Sequence, residues 1–151
     1  MGEQWPSVPP ELGDQTGYLL SRAGMASRAM FARGLAPLGI SPRDFGVLKV
    51  IHGQGPMTQQ SVGAALGVDP STTVTIVDHL EQAGLLERRR HPTDRRANAL
   101  YLTPAGKRTL TRAGGVVDRT KRAMFGRLSD DELRTLHDLL SRLLSQPPDG
   151  D

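Results

Sequence analysis

The chain has 151 residues, 37% hydrophobic and 23% charged, which suits one domain with a real core rather than a disordered or multidomain protein. It contains no cysteine, so disulfides, thiolate metal sites and thiol-based redox sensing are excluded and a cytoplasmic setting is expected. The formal charge of +3 conceals a segregation: residues 88–127 hold twelve Lys/Arg and two acids, leaving seven bases and fourteen acids elsewhere, which favours an anionic partner for one region only.

Residues 1–12 carry Pro6, Pro9 and Pro10 and read as an extended arm, on which Trp5 is expected to tuck against the body or a partner subunit. This N-terminus lacks the basic and apolar regions of a secretion signal. No 18 apolar residues run together anywhere, so no membrane partner is expected. From 14 to about 38 a long helical pattern runs, with Tyr18, Leu19, Ala23, Ala26, Met30 and Leu35 recurring, Gly24 and Gly34 as weak points in its continuity and Arg22, Arg28 and Arg33 as a solvated face. Gly39 ends that helix. Ser41 and Pro42 then supply the cap and first residue of the next, which carries Phe45, Leu48 and His52 with Val47 and Ile51 beside them. Residues 52–56 form a clear break, and Pro56 and Met57 are expected to add a short third strand to the sheet that follows.

The stretch 58–102 organises the rest. Thr58 is a plausible N-cap for a helix with Val62, Ala65 and Leu66 on one face, and Gly67 can take the left-handed conformation that ends it. Asp69 as cap and Pro70 as first residue start a second helix, with Val74, Val77 and Leu80 as its apolar series, ending at Gly84. Two short helices about a tight glycine turn make a helix-turn-helix, and Gly63 falls where the two would cross. The segments 85–90 and 97–102 then alternate as strands about a turn at 91–94, with arginines on its shoulders. A helix-turn-helix followed by a basic hairpin is a winged helix.

Beyond the wing, Thr103 and Pro104 repeat the cap-plus-proline device and launch a basic helix to about 128, which Gly114 and Gly115 could kink. For the bases between 107 and 122, a solvated face and a binding face are equally open. Ser129 and Glu132 form a capping box, after which Leu133, Leu136, Leu139, Leu140, Leu143 and Leu144 make a stripe at helical spacing. Such a stripe is commonly plain core. Here the helix is terminal and the winged helix has its own core, so an intersubunit role is expected. Residues 146–151 read as a frayed tail.

The ordered set Leu66-Gly67-Val68, Ser71-Thr72, Val77-Asp78, Leu80-Glu81, Gly84-Leu85 and Glu87-Arg88-Arg89 resembles the DNA-binding core of MarR-family transcription regulators. So do Asp94-Arg95-Arg96 and Leu102-Thr103-Pro104-Ala105-Gly106, which match the family's wing pattern. The match covers about 45 residues at unbroken spacing. It departs at Thr75 and His79, where the family often has Arg, and at Thr73, where Val is usual. The resemblance implies a mainly α fold: a winged helix-turn-helix with a two- to three-stranded β-wing, spanning 41–103, and a helical dimerisation region made of 13–40 and 104–145. It implies a homodimer, most often a repressor, that sets two recognition helices into successive major grooves of a pseudo-palindromic operator about 10 bp apart. It also implies release by a small lipophilic or phenolic effector held between the dimer region and the winged helix, where Tyr18, Met30 and His52 are candidate liners and equally credible as core.

The candidate major-groove residues are Ser71, Thr72, Thr73, Thr75 and His79, since hydroxyls reach phosphates or bases and threonine methyls meet thymine methyls. Ser and Thr also favour helix starts, which explains Ser71 better than it explains three threonines. On the wing the candidates are Arg88, Arg90, Asp94, Arg95 and Arg96. Arg95 or Arg96 at the tip can enter a narrow A·T-rich minor groove. By resemblance Arg96 is that residue, and Asp94 orients the tip by pairing with a nearby Arg. Arg88, Arg89 and Arg90 alternate faces, so at most two can meet phosphates together.

The four histidines are isolated in sequence, without the close pairing of a metal site, and no metal or cofactor is expected. Asp130, Asp131 and Glu132 suit a helix N-terminus rather than an acid–base pair. No phosphate-cradling glycine loop or nucleophile elbow occurs, so catalysis is not expected. The rival reading from another class is a winged helix that docks an acidic protein partner through its basic wing.

Overall fold

The computed structural model describes residues 7–145; Trp5 with the start of the arm, and the tail after Ser145, lie outside the described residues. The helices begin where short side chains can cap them. Ser41, Thr58, Asp69 and Thr103 each accept a backbone N–H from the first turn of the helix they precede, and three of the four are followed by proline. The elements are α1 (Thr16–Leu35), α2 (Pro42–Gln54), α3 (Gln59–Leu66), α4 (Pro70–Gln82), β1 (Leu86–Arg90), β2 (Asn98–Leu102), α5 (Pro104–Phe125) and α6 (Asp130–Ser145). Short 3-10 turns lie at Pro10–Leu12 and Ala36–Leu38. The capping box before α6 is formed: Ser129 N–H donates to Glu132 (2.8 Å) and Glu132 N–H donates to Ser129 Oγ (3.2 Å).

The two long helices are continuous at their glycines, and two other expectations about local structure are corrected. α1 runs unbroken through Gly24 and Gly34, and α5 through Gly114 and Gly115. A helical glycine costs only about 1 kcal/mol against alanine, and packing of α1 on α5 outweighs that. At Gly34 a side chain would lie 2.5 Å from Val116 Cγ1, so the glycine permits this approach. The third strand shrinks to an isolated bridge, in which Leu100 N–H donates to the Met57 carbonyl at 2.9 Å. The first helix stops at Leu35, because Pro37 cannot donate to continue it and the chain tightens into a 3-10 turn.

β1 and β2 pair antiparallel, Leu86 opposite Leu102 and Arg88 opposite Leu100. The core sits where α2, α3, α4 and the base of this hairpin meet, around Val47, Leu48, Val62, Val77, Leu80, Leu86 and Leu100, all essentially without solvent contact. Leu35 is the buried residue that α1 supplies, and Leu110, Ala113 and Val116 come from α5. α6 buries none of its residues.

The exit from the wing is tightly sewn. Thr103 Oγ1 accepts the Gly106 N–H (3.0 Å) and donates to the Gly84 carbonyl (2.6 Å), while Thr103 N–H donates to the Leu85 carbonyl at 3.2 Å. A side chain at Gly106 would lie 2.1 Å from that Leu85 oxygen. The Leu-Thr-x-x-Gly stretch thus ties the end of α4 to the start of α5. Among the described residues no helix is long and apolar enough to cross a membrane, and no group of three or more His, Asp or Glu is placed to hold a metal ion.

Candidate nucleic-acid interface

α3 and α4 are set by the turn between them. Gly67 takes φ 61°, and Val68 N–H returns to the Gly63 carbonyl at 2.9 Å, closing α3 before Asp69 opens α4. At the crossing of the two helices a Cβ on Gly63 would come within 2.7 Å of Thr73 Oγ1 and 3.2 Å of the Val68 carbonyl. Thr73 is accordingly buried, its hydroxyl donating to the Asp69 carbonyl at 2.9 Å. It therefore forms part of the helix crossing and is withdrawn from the solvent-facing set in which its residue type had placed it.

The other hydroxyls remain outward. Ser71 and Thr75 are exposed and Thr72 half-buried. Two of them are already engaged: Ser71 Oγ donates to Asp69 Oδ1 (2.6 Å), and Thr75 Oγ1 to the Ser71 carbonyl (3.2 Å). The Ser71 hydroxyl, followed by Thr72, holds the Asp69 carboxyl well below the ordinary carboxylate range. His79, one turn further along, keeps half of its side chain in solvent, yet its Nδ1 stands 3.3 Å from Oδ1 of Asp44, a carboxylate with 6% of its surface exposed. Asp44 Oδ2 also accepts the Ser41 N–H at 2.7 Å. One carboxylate thereby caps α2 and tethers α4, a role for which its capping-box position was the available sign.

The wing arginines divide into two kinds. Arg88 shares a strand face with Leu86 and is drawn inward, where Asp78 (2.6 Å) and Glu81 of α4 and Gln59 of α3 (3.2 Å) accept from its guanidinium. The hydrogen bond it donates to Asp78 leads the effects that raise its pKa. Arg88 was expected among the DNA-facing wing residues; here it is turned onto the acids of α4, a difference from Arg90 that strand alternation does not show, since both share the face of Leu86. Arg89, on the opposite face, pairs with Glu87 (2.5 Å) and lies over the Tyr101 ring, 5.3 Å from its centroid.

Arg90, Arg95 and Arg96 are exposed, and no acid pairs with their side chains among the described residues. Asp94 accepts the backbone N–H of Arg96 at 2.9 Å, so it shapes the tip through the main chain instead of pairing with an arginine head. His91, which no sequence motif singled out, joins it: its Nδ1 accepts the N–H groups of Thr93 and Asp94, each at 3.3 Å.

A separate groove of about 580 Å³ opens between α1, the first turn of α2 and α5. Phe31, Phe45, Phe125 and Val117 give it apolar walls, and Arg28 and Lys121 stand at it with no acid among the lining residues. Phe31 and Phe45 meet edge to face at 5.1 Å. None of Tyr18, Met30 and His52 lines it. Tyr18 and Met30 are half-buried on α1, and His52 is exposed and borders a different depression with Tyr101 and Lys107.

The chain matches the model of the MarR family over residues 40–97. It is 37% identical over 140 residues to a transcriptional regulatory protein for the hcr operon of Thauera aromatica, an alignment covering 92% of this chain and 84% of that protein. Among solved structures it is similar to CouR from Rhodococcus jostii RHA1 bound to p-coumaroyl-CoA, with 32% identity, a TM-score of 0.79, and 89% and 95% of the two chains covered. The repressor CouR bound to a 23-mer DNA duplex superposes with a TM-score of 0.83 at 30% identity, covering 92% of this chain and 99% of that one. A mutant MarR from E. coli complexed with operator DNA gives 0.79 at 25% identity, covering 91% and 99%. With its winged helix-turn-helix and these relatives, the chain belongs to the MarR family and is a DNA-binding transcriptional regulator.

Proposed function

We propose that this protein is a homodimeric repressor that reads a pseudo-palindromic operator with α4 in the major groove and the tip of its wing in the flanking minor groove. The observation that carries the reading is the sorting of the wing arginines. Arg88 and Arg89 are neutralised within the protein, whereas Arg90, Arg95 and Arg96 are held out at the tip without acid partners among the described residues. Exposed guanidinium groups on a short hairpin fit phosphates and a narrow minor groove. Ser71, Thr72 and Thr75 on the outer side of α4 supply the major-groove contacts, with Thr73 and Arg88 as supports from behind.

If those three arginines contact DNA in both subunits, six charges release counterions, and log K against log salt should slope near −5. Fluorescence anisotropy against sites selected from a random duplex pool measures this. A flat salt response would instead favour docking of the wing onto an acidic protein.

The effector of this repressor is assigned to the groove between α1, α2 and α5. Its three phenylalanines and two cations suit an aromatic molecule bearing negative charge, the chemistry that CouR's bound p-coumaroyl-CoA also presents. Such a ligand releases DNA if it favours an arrangement in which the two recognition helices no longer match successive major grooves. Calorimetric titration with p-coumaroyl-CoA and p-coumarate is the test. Binding should weaken on Phe45→Ala and on Arg28→Gln, and titrations unchanged by either would remove the groove from consideration.

A further inference from the structure

We infer that Arg88 is a positioning residue for operator binding: it fixes the wing against the recognition helix and does not itself touch DNA. The inference rests on the proposed reading of the wing as a minor-groove element. One guanidinium joins three elements. From β1 it donates through Nη1 to Glu81 and through Nη2 to Asp78 at 2.6 Å, both on α4, and Nη2 also reaches Gln59 Oε1 of α3 at 3.2 Å. Planar, with donors in a fixed fork, it holds two carboxylates at a set mutual angle, which a flexible ammonium cannot reproduce. Its side chain is 29% exposed, while Asp78 and Glu81 are 47% and 39% exposed, so the pairing also neutralises two acids on the recognition helix itself.

The other ties lie at the base of the hairpin. Met57 bridges to Leu100, which stands opposite Arg88 in the hairpin, and Leu86 is buried at the strand's beginning. Buried Leu86 and the Leu85 N–H on the Leu80 carbonyl (2.9 Å) hold the base of the hairpin to α4, and beyond Arg88 β1 is exposed, which makes Arg88 the outermost polar tie along this strand. The base of the hairpin is thus fixed by packing, and the lean of its outer part over α4 is set at this contact. That lean sets how far the tip arginines lie from the major-groove reader, and hence whether both grooves can be engaged at once.

The test compares Arg88→Gln, Arg88→Lys, the double change Asp78→Asn with Glu81→Gln, and Arg96→Ala in the full-length protein. Sites are selected from random DNA, affinities are measured across salt, and melting is followed in parallel. For Arg88→Gln we expect at least ~10-fold weaker binding to sites with A·T-rich flanks, a flattened flank preference, an unchanged central half-site preference and an unchanged salt slope. Arg88→Lys should retain part of the flank preference.

The acid double variant keeps Arg88 and tests the same junction should Arg88→Gln fail to fold. It should flatten flank preference as well, although it removes negative charge. If Arg88→Gln instead reduces the salt slope by about 2 per dimer with a uniform loss across sites, Arg88 is a phosphate contact and the inference is overturned. Tighter binding by the acid variant, with a steeper slope and unaltered flank preference, would overturn it too. A lowered melting temperature with wild-type flank preference would reduce Arg88 to a stabilising residue and equally overturn it. Arg96→Ala separates the two levels. If it leaves flank preference intact, the minor-groove reading of the wing fails and the inference falls with it. If it flattens flank preference while Arg88→Gln does not, the assignment of Arg88 alone fails.

Discussion

The winged-helix half of the molecule satisfies itself; the helical half does not. In the first, buried polar groups have partners: Thr73 bonds to the turn before it, and Asp44 caps one helix while reaching another. Apolar side chains there are covered from α2, α3, α4 and the hairpin, with Val74 on the outer side of α4 as the exception at 40% exposure. In the second, α6 leaves Leu139, Leu143 and Leu144 54%, 58% and 82% exposed, and α1 leaves Met25 63% exposed. On α1, Arg22 Nε is shielded from solvent and has no hydrogen-bond partner. The helical half buries Leu35, Leu110 and Val116 where α1 and α5 meet the core but leaves the outer leucines of α6 open. For the proposed homodimer the contrast teaches that each reader is supported within its own chain, whereas the frame between two readers is left for a second chain to complete.

The most severe way to break this contrast is to charge the open stripe. Leu139→Glu with Leu143→Glu should convert the dimer to monomer, with operator affinity falling on the order of 1,000-fold, because each half-exposed leucine has about 1 kcal/mol of burial still to gain and counts twice in a two-fold interface. Sedimentation equilibrium checks it, and a dimer persisting at micromolar concentration would show that α6 is surface. Gly106→Ala attacks the other half from within. Its Cβ has no room beside the Leu85 carbonyl, so destabilisation of roughly 3 kcal/mol or more is expected in thermal or urea unfolding.

Smaller effects sharpen the contrast at the DNA surface. Arg96→Ala should cost about 1–3 kcal/mol per half-site, concentrated on A·T-rich flanks, and Thr72→Ala a similar amount at one or two central positions. Neither should shift melting, as both side chains stand outside the core. The smallest effect concerns acid. Asp69 is more acidic in the folded protein than in the unfolded chain, so its cap stabilises α4 fully above the ordinary carboxylate range. That stabilisation is lost progressively as pH falls below about 4. Asp69→Asn should flatten this part of the acid-unfolding profile; an identical profile in the variant would show that the cap contributes no pH dependence.

Much of this was legible in the residues. Every cap preceding α2 to α6 announced itself by a Ser, Thr or Asp, often before a proline, and the hairpin by its alternation. What stayed hidden depended on which way a side chain turns. Thr73 looked like its hydroxyl neighbours because a run of Ser and Thr does not say which member meets Gly63. Arg88 looked like Arg90, since both share a strand face; Arg88 lies over α4 and its acids, and Arg90 lies beyond them. The groove residues Phe31, Phe45 and Phe125 come from three helices far apart in sequence, and no local pattern joins them.

The seam at Thr103 and Gly106 bears on how motion is shared. Three hydrogen bonds and a backbone contact too close for any side chain remove the slack between the hairpin's base and α5. α5 cannot pivot there while the reader stays still; the two turn together. With that joint stiff, one subunit's displacement on DNA reduces to few independent coordinates, chief among them the distance between the paired readers. A ligand that displaces α5 would therefore act on DNA binding through that single spacing.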